Sequence, residues 1–152
     1  MFKQFLHLLK DSSSESRAVP VVLCFVKCDG ELLLLERGYE VEFYKCWWNV
    51  VTGYWDGKSS IPDRVREKLL EELGVTSDYI ATIKLGKPYR TYHFVIEQEW
   101  LMHPVFVELK KKPPIHLSEQ HQGYRWVKPS EVKEFSIVPR VSDALDQFKS
   151  LS

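Results

Sequence analysis

The chain has 152 residues, 44% of them hydrophobic, which suits a single globular domain with one core. Lys plus Arg and Asp plus Glu are balanced at 21 each, so no overall field favours a nucleic acid polymer or an anionic membrane, and an anionic ligand would have to be held by local groups. The three cysteines lack a Cys-x-x-Cys pair, and no run approaches the roughly 20 apolar residues of a transmembrane helix, so we expect a cytoplasmic protein.

The first 17 residues are predicted to lie outside the folded domain, which would span residues 18–152. Residues 1–10 have an amphipathic pattern without a signal-peptide cleavage site, and residues 11–17 are polar and typical of a linker. The amphipathic segment is expected to pack on the domain, in preference to a second copy or another partner. A homodimer is one of the assemblies that such a segment permits.

Strands are predicted on both sides of one long helix. Before it, the β-rich runs at 21–27 and 31–35 are joined by an Asp-Gly turn, which predicts a hairpin, and a third strand is expected at 47–52. Further patterns follow the helix, namely strands at 79–85, 91–96, 104–109 and 124–127, a helical turn at 129–135 and a helix within 138–151. This order predicts an α+β fold, an α/β/α sandwich in which a mixed β-sheet lies between helices.

The long helix carries both an apolar stripe and a group of carboxylates. It is expected to begin at Ser59 or Ser60 and to end at Gly74, which favours a helix C-terminus. Its apolar side chains recur every four residues, at Ile61, Val65, Leu69 and Leu73. Its carboxylates lie within one and a half turns, at Glu67, Glu71 and Glu72. Such a group is either a solvated face neutralised by Lys and Arg or a site for a hard cation that also contacts phosphates.

The segment from Gly53 to Val75 has the length and spacing of a known motif. It resembles the box of the Nudix hydrolase superfamily, which runs Gly, five residues, Glu, seven residues, Arg-Glu, apolar, any, Glu-Glu, any, Gly, apolar. Without gaps, the matching positions are Gly53, Leu69, Glu71, Glu72, Gly74 and Val75. Three polar positions depart from the pattern, with Ser59, Glu67 and Lys68 in place of Glu, Arg and Glu. A shift by one residue would align Arg66-Glu67 with Arg-Glu, but it would break the apolar stripe.

The resemblance implies the Nudix fold and a metal-dependent pyrophosphohydrolase. Water would attack a phosphorus of a small nucleoside-diphosphate-linked metabolite, while Mg²⁺ or Mn²⁺ neutralises the phosphate oxygens. The expected metal ligands are Gly53, Glu67, Glu71, Glu72 and Gln120, and the expected catalytic carboxylates are Glu71, Glu72 and Glu119. The expected substrate contacts are Arg37, Trp48 and Tyr54. The segment from Trp48 to Gly53 resembles dihydroneopterin triphosphate and nucleoside triphosphate pyrophosphohydrolases, which suggests a nucleoside or pterin triphosphate as substrate.

The departures from the pattern favour an alternative function. A protonated lysine has no lone pair and repels a cation, so Lys68 would weaken metal binding. Gln120 stands where relatives commonly carry a glutamate, and an amide is a weaker ligand and no base. The neighbouring His121 is either an ordinary polar residue or a group that titrates near neutral pH. The alternative is therefore a catalytically impaired Nudix module that binds a nucleotide or a protein partner, and an unrelated α+β interaction domain is the third hypothesis.

Overall fold

The computed structural model describes residues 18–94 and 96–151, so the prediction for residues 1–17 lies outside the described residues. The strands are β1 (Val19–Cys28), β2 (Glu31–Arg37), β3 (Trp48–Asn49), β4 (Val51–Tyr54), β5 (Ile80–Leu85), β6 (Tyr89–His93), β7 (Gln98–Leu109) and β8 (His121–Val127). The α-helices are α1 (Ile61–Leu73), α2 (Pro139–Ser142) and α3 (Leu145–Leu151), and 3₁₀ helices span Ser77–Tyr79 and Pro129–Glu134. None of the helices in these two ranges is long and apolar enough to cross a bilayer.

The described strands form one mixed eight-stranded sheet with β1 at its centre. β1 pairs in parallel with β7 along one edge. Along its other edge, β1 pairs antiparallel with β2 at Lys27 and Cys28, and with β4 over residues 21–24. β2 then continues away from β1 and pairs with β3 and β8. The end of β2 and the start of β8 therefore lie beside each other near β4 and the end of α1.

A hydrophobic core lies on each face of the sheet. On one face, α1 packs Val65, Leu69 and Leu73 against alternate residues of β1, which include Val22 and Cys24. On the other face, the remaining residues of β1 pack against the C-terminal helices, and Phe25 stacks on Phe106 and Phe148 with ring centroids 5.6 and 5.8 Å apart. Successive side chains of a strand point to opposite faces, so β1 contributes to both cores. The predicted mixed sheet between helices is confirmed.

Several predicted strand boundaries are wrong. The strand predicted at 47–52 is interrupted at Val50, whose N–H donates to Asn49 Oδ1 at 2.8 Å, so β3 and β4 pair with different strands. The strand predicted to begin at Pro104 already begins at Gln98. Pro104 does not end it, because its carbonyl accepts the Gly86 N–H at 2.8 Å and β7 remains paired with β1 on its other side.

Candidate active site

Local signals fix the position of α1. Ser60 is the N-cap, since its Oγ accepts the N–H of Asp63 at 3.1 Å. Gly74 ends the helix in the left-handed region at φ 68°, and its N–H donates to the carbonyl of Leu70 at 3.0 Å. Because Leu69 and the rest of the apolar stripe face the sheet, the polar residues between them lie along the edge of the helix, beside β4 and the loop that precedes β8.

Lys68 is the buried centre of the polar residues on α1. Its side chain is only 10% exposed, and its Nζ lies 3.1 Å from Glu72 Oε1 and 3.4 Å from Glu71 Oε2. Its hydrocarbon stem lies on Gly53 of β4, where an added Cβ would come within 2.6 Å of Lys68 Cδ and Cε. Burying a charge is costly unless it is paired, and here the lysine gains its partners one helical turn further along α1.

Glu72 is held by groups from two parts of the chain. Its Oε2 accepts a hydrogen bond from Ser118 Oγ at 2.5 Å, while its Oε1 faces Lys68. The Ser118 N–H also donates to the backbone carbonyl of Glu72 at 3.2 Å. Burial opposes ionisation, but the hydrogen bond from Ser118 and the charge of Lys68 outweigh it, so the pKa of the Glu72 carboxyl lies below its ordinary value. Glu72 is therefore ionised at neutral pH.

Glu67 and Glu71 lie on the solvent side of the same cluster. Both side chains are more than half exposed, and each has one carboxylate oxygen 3.9 Å from Arg64 Nη1. Arg64 is itself fixed by the hydrogen bond that its Nε donates to the carbonyl of Tyr54 at 2.7 Å. The structure thus brings Glu71 and Glu72 together around Lys68, and it holds Glu67 beside Arg64 on the outer side of the helix.

The loop before β8 places His121, rather than its predicted neighbours, against the cluster. Glu119 and Gln120 are exposed in a turn, where the backbone carbonyl of Gln120 accepts the Gly38 N–H at 3.1 Å. His121 Nδ1 lies 3.7 Å from Glu72 Oε2, too far for a hydrogen bond. Burial lowers the pKa of His121 to about 4, although the Glu72 carboxylate opposes this change. His121 is therefore neutral at physiological pH.

The free energy of unfolding is expected to fall as the pH decreases, because His121 binds a proton more readily in the unfolded chain than in the folded protein. Unfolded histidine binds a proton near pH 6.5, whereas folded His121 does so only near pH 4. Between these values the unfolded state binds more protons, so the free energy of unfolding falls with decreasing pH by up to about 1.4 kcal/mol per pH unit. Urea denaturation of wild type and His121→Gln at about pH 7 and about pH 5 measures this contribution.

The matched control for this measurement is His116→Gln, because His116 is exposed in the same loop. Burial also lowers the pKa values of His93 and His103, so the wild-type slope contains their contributions as well. The difference between the two variants isolates His121. Equal pH dependence of His121→Gln and His116→Gln would contradict the buried neutral state.

A cavity of about 290 Å³ lies on the face of the sheet opposite α1. Arg140 of α2 lines the cavity and contributes a positive charge, and its Cζ lies 5.9 Å from the centroid of the Trp100 ring. The Tyr89 hydroxyl donates to the Arg140 backbone carbonyl at 2.5 Å. Neither ring nitrogen of His93 has a hydrogen-bond partner among the described residues. The wall is mainly aromatic and consists of Tyr44, Thr91, Tyr92, His93, Phe94, Trp100, Val138, Pro139 and Arg140.

Arg37 lies between the cavity and the carboxylates. At the end of β2 it is paired with His121 of β8, and its Nε donates to the carbonyl of Phe43 at 3.0 Å. Its charge helps to lower the pKa of His121, and the pKa of Arg37 is lowered by burial and then by the charge of Arg140. Within residues 18–94 and 96–151, neither Arg37 nor Arg140 forms an ion pair with a carboxylate. Arg37 and Arg140 therefore provide positive charge between the cavity and the carboxylates of α1.

The predicted aromatic contacts Trp48 and Tyr54 take part in packing. Trp48 meets Phe135 edge to face with ring centroids 5.1 Å apart, and it packs on the core of the face opposite α1. Tyr54 stacks on Trp100 with ring centroids 5.9 Å apart, so it packs against a residue that lines the cavity. Because Tyr54 follows Gly53 on β4, the two residues connect the carboxylate cluster on one face with the cavity on the other.

The residues of these two regions that were not predicted from the sequence include Ser118, His93, Trp100 and Arg140. A signal for Ser118 exists, because the last carbonyls of a helix need donors and the loop at 116–118 supplies them to Glu72 and Leu73. For Arg140 the available signal is its position next to Val141, an apolar position of the helical pattern at 138–151. Trp100 and His93 carry no local signal, since they reach the cavity only through the pairing of β6 with β7.

Most of the chain matches one family model. The model is described as NUDIX domain, and it matches residues 16–148. The chain belongs to the Nudix family. The comparison with curated proteins gives no match.

Solved structures of Nudix proteins have the same fold as this chain. A NUDIX hydrolase from Nitrosomonas europaea has a TM-score of 0.72 at 16% identity, with 88% of this chain and 90% of that one covered. An Ap4A hydrolase from C. elegans has a TM-score of 0.71 at 16% identity, with 88% and 97% covered. A MutT protein from Methanosarcina mazei Go1 has a TM-score of 0.70 at 19% identity, with 91% and 97% covered. At these identities the likeness supports the fold alone.

Nudix hydrolases generally use divalent metal ions, but the residues that the structure describes around α1 do not fit one. Mg²⁺ and Ca²⁺ require six or more oxygen ligands, and no group of three or more His, Cys, Asp or Glu side chains suited to a metal occurs among the described residues. Both carboxylate oxygens of Glu72 already accept from Lys68 and Ser118. The ammonium of Lys68 stands where the family pattern has a third carboxylate, and it repels a cation.

Proposed function

We propose that this Nudix domain binds a small nucleoside-diphosphate-linked metabolite of the nucleoside or pterin triphosphate class. The observation that carries the proposal is the aromatic cavity with the cation of Arg140, which forms no ion pair with a carboxylate within residues 18–94 and 96–151. From this cavity Arg37 leads towards the cluster at Lys68. Aromatic walls suit a planar ring system, and a guanidinium suits its carbonyl or phosphate oxygens. The ring system would occupy the cavity and the phosphates would extend along Arg37.

The size of the cavity supports this division of the ligand. Small-molecule pockets have volumes of roughly 300–1,000 Å³, so a cavity of about 290 Å³ is suited to the ring system rather than to a complete nucleotide. The phosphates would then lie outside it, beside Arg37 and Arg140, which have no carboxylate partner in the part of the chain that the structure describes. The choice of a nucleotide takes up the name of the C. elegans neighbour, an Ap4A hydrolase, and is part of the proposal. The pterin member of the class is included because the segment from Trp48 to Gly53 resembles dihydroneopterin triphosphate pyrophosphohydrolases.

Hydrolysis of the same metabolite is the second candidate function, and Glu72 favours it. Glu72 is an ionised carboxylate fixed by Ser118, and Glu71 lies beside it on the same helix. A fixed carboxylate is able to position a water molecule and to accept its proton as the water attacks phosphorus. Lys68 and the exposed Glu119 and Gln120 weigh against hydrolysis, which is why we place binding first.

A panel of candidate ligands distinguishes the two functions. Nucleoside triphosphates, dihydroneopterin triphosphate, dinucleoside polyphosphates and nucleotide sugars would be tested by calorimetric titration and by phosphate release with Mg²⁺ or Mn²⁺. We expect one class to bind without turnover above that of Glu71→Gln and Glu72→Gln. Turnover that both substitutions abolish would establish the hydrolase instead. If no class binds or turns over, the proposed function is wrong.

Arg140→Gln is expected to weaken binding of the ligand found in this panel by about tenfold to a hundredfold, because a hydrogen bond to a charged group contributes about 1.5–3 kcal/mol. The control is Arg125→Gln, since Arg125 also lies over an aromatic ring, that of Phe135 at 5.7 Å, but is exposed and lies outside the cavity. Equal affinities of the two variants, measured by calorimetric titration, would exclude the cavity as the binding site.

A further inference from the structure

We infer that Lys68 supplies from within the chain the positive charge that the family pattern assigns to a divalent cation, so that ligand binding at this site needs neither Mg²⁺ nor Mn²⁺. The inference deepens the proposed function, because the carboxylates of α1 lie at the phosphate end of the same site. Lys68 thus does more than weaken a metal site, since its ammonium takes the role of the cation.

The ammonium of Lys68 lies between the two carboxylates that a metal ion would need as ligands. Lys68 Nζ lies 3.1 Å from Glu72 Oε1 and 3.4 Å from Glu71 Oε2, on the two residues that match the Glu-Glu pair of the motif. Mg²⁺ binds oxygen at about 2.0–2.1 Å, so an ion bound to both carboxylates would come into contact with the ammonium between them. A lysine and a divalent cation therefore compete for the same place.

Contacts fix both the hydrocarbon stem and the ammonium of Lys68. Its stem lies on Gly53, where any Cβ would fall 2.6–2.8 Å from Lys68 Cγ, Cδ and Cε, and its ammonium is bound to Glu72. Glu72 is itself fixed by Ser118, which occupies its other oxygen. For a metal ion to bind, the Lys68 side chain would have to move away from Gly53 and Glu72, and Glu72 would have to lose its hydrogen bond from Ser118.

The positive charges of the cluster offset most of its negative charge. Lys68 and Arg64 offset two of the three carboxylates Glu67, Glu71 and Glu72, and Lys68 lies against both members of the Glu-Glu pair. An ammonium has three N–H donors, and Lys68 directs two of them to these carboxylates. The third donor is left for an oxygen of the phosphate that the proposed function brings to this end of the site.

Titration of the free protein with Mn²⁺, followed by the electron paramagnetic resonance signal of the unbound ion, tests the inference. Wild type is expected to leave the signal unchanged. Lys68→Glu is expected to bind a single Mn²⁺ at least about tenfold more tightly than the control, because it adds a third carboxylate and removes the competing ammonium. The control is Lys84→Glu, which makes the same change of charge at an exposed position on β5.

Binding of one Mn²⁺ by wild type with a Kd below about 1 mM, abolished by Glu72→Gln, would overturn the inference. So would a folded Lys68→Glu protein that binds Mn²⁺ no better than Lys84→Glu. If circular dichroism shows that Lys68→Glu does not fold, the wild-type titration alone decides. Because the probe is the metal without a ligand, its result is separate from the ligand panel. Failure of the panel would remove the proposed function and the statement on ligand binding, and it would leave Lys68 in the position of the cation.

Discussion

Replacing Glu72 with leucine is expected to lower the free energy of unfolding by about 3 kcal/mol, because it leaves the ammonium of Lys68 buried without its better partner. Lys68→Met should cost a similar amount, since it leaves the Glu72 carboxylate buried beside an apolar side chain. The double variant is expected to lie within about 1 kcal/mol of wild type, because apolar residues of similar volume replace buried ion pairs with little loss. Urea denaturation of the four proteins gives the coupling energy of the pair.

The control for this cycle is the ion pair between Arg90 and Glu99, which lies on the surface with side chains 63% and 45% exposed. Water screens such a pair, so its coupling energy should be less than about 1 kcal/mol. If the effects of the Lys68 and Glu72 substitutions simply add, or if the two pairs give equal coupling energies, the buried pair does not hold the site together.

Local spacing in the sequence was sufficient to predict the cluster on α1. Residues three and four apart share a helix face, so Lys68, Glu71 and Glu72 had to lie together once the apolar stripe fixed the helix. The same spacing suggested that Glu67 would join them, but Arg64 holds Glu67 at 3.9 Å on the solvent side. Arg64 lies equally near Glu71, so the difference is that Glu71, three residues after Lys68, also reaches the Lys68 ammonium.

Contacts between distant parts of the chain were not predictable in the same way. Ser118 and Glu72 are 46 residues apart, and their contact depends on how the loop before β8 crosses the end of α1. The cavity likewise depends on sheet register, because Trp100 and His93 face it through the pairing of β6 with β7, while Arg140 reaches it from α2. A one-residue change of register turns every side chain of a strand to the other face, and a single sequence gives no direct measure of that register.

The mixed sheet between helices was predicted correctly because it follows from the order of the elements, whereas the ends of the strands depend on individual hydrogen bonds. Val50 interrupts the strand predicted at 47–52, since its N–H is taken by the side chain of Asn49. Conversely, β7 extends back to Gln98 through a stretch in which buried and partly exposed residues alternate, with Trp100 and Met102 among the buried ones. This alternation is the pattern of a strand with one solvated side.

Leu69→Ala is expected to lower the free energy of unfolding by about 3 kcal/mol, which is typical for the loss of a fully buried leucine. Leu69 lies at the centre of the contact between α1 and the sheet, where its neighbours cannot move to fill the space without moving the helix. The same helix carries Lys68 and the two carboxylates, so loosening this contact should also weaken ligand binding. Urea denaturation measures the first effect, and calorimetric titration measures the second.

Leu70→Ala is the matched control, since the next residue of the same helix is 55% exposed and alanine favours a helix. We expect a change within about 0.5 kcal/mol of wild type. The contrast also tests the alignment on which the site depends. In the ungapped alignment Leu69 is the apolar position of the motif and Lys68 replaces a glutamate, whereas the alternative that matches Arg66-Glu67 puts Lys68 at the apolar position and Leu70 at that of a carboxylate. A larger loss from Leu70→Ala than from Leu69→Ala would contradict the ungapped alignment, and with it the assignment of Lys68 to the position of the cation.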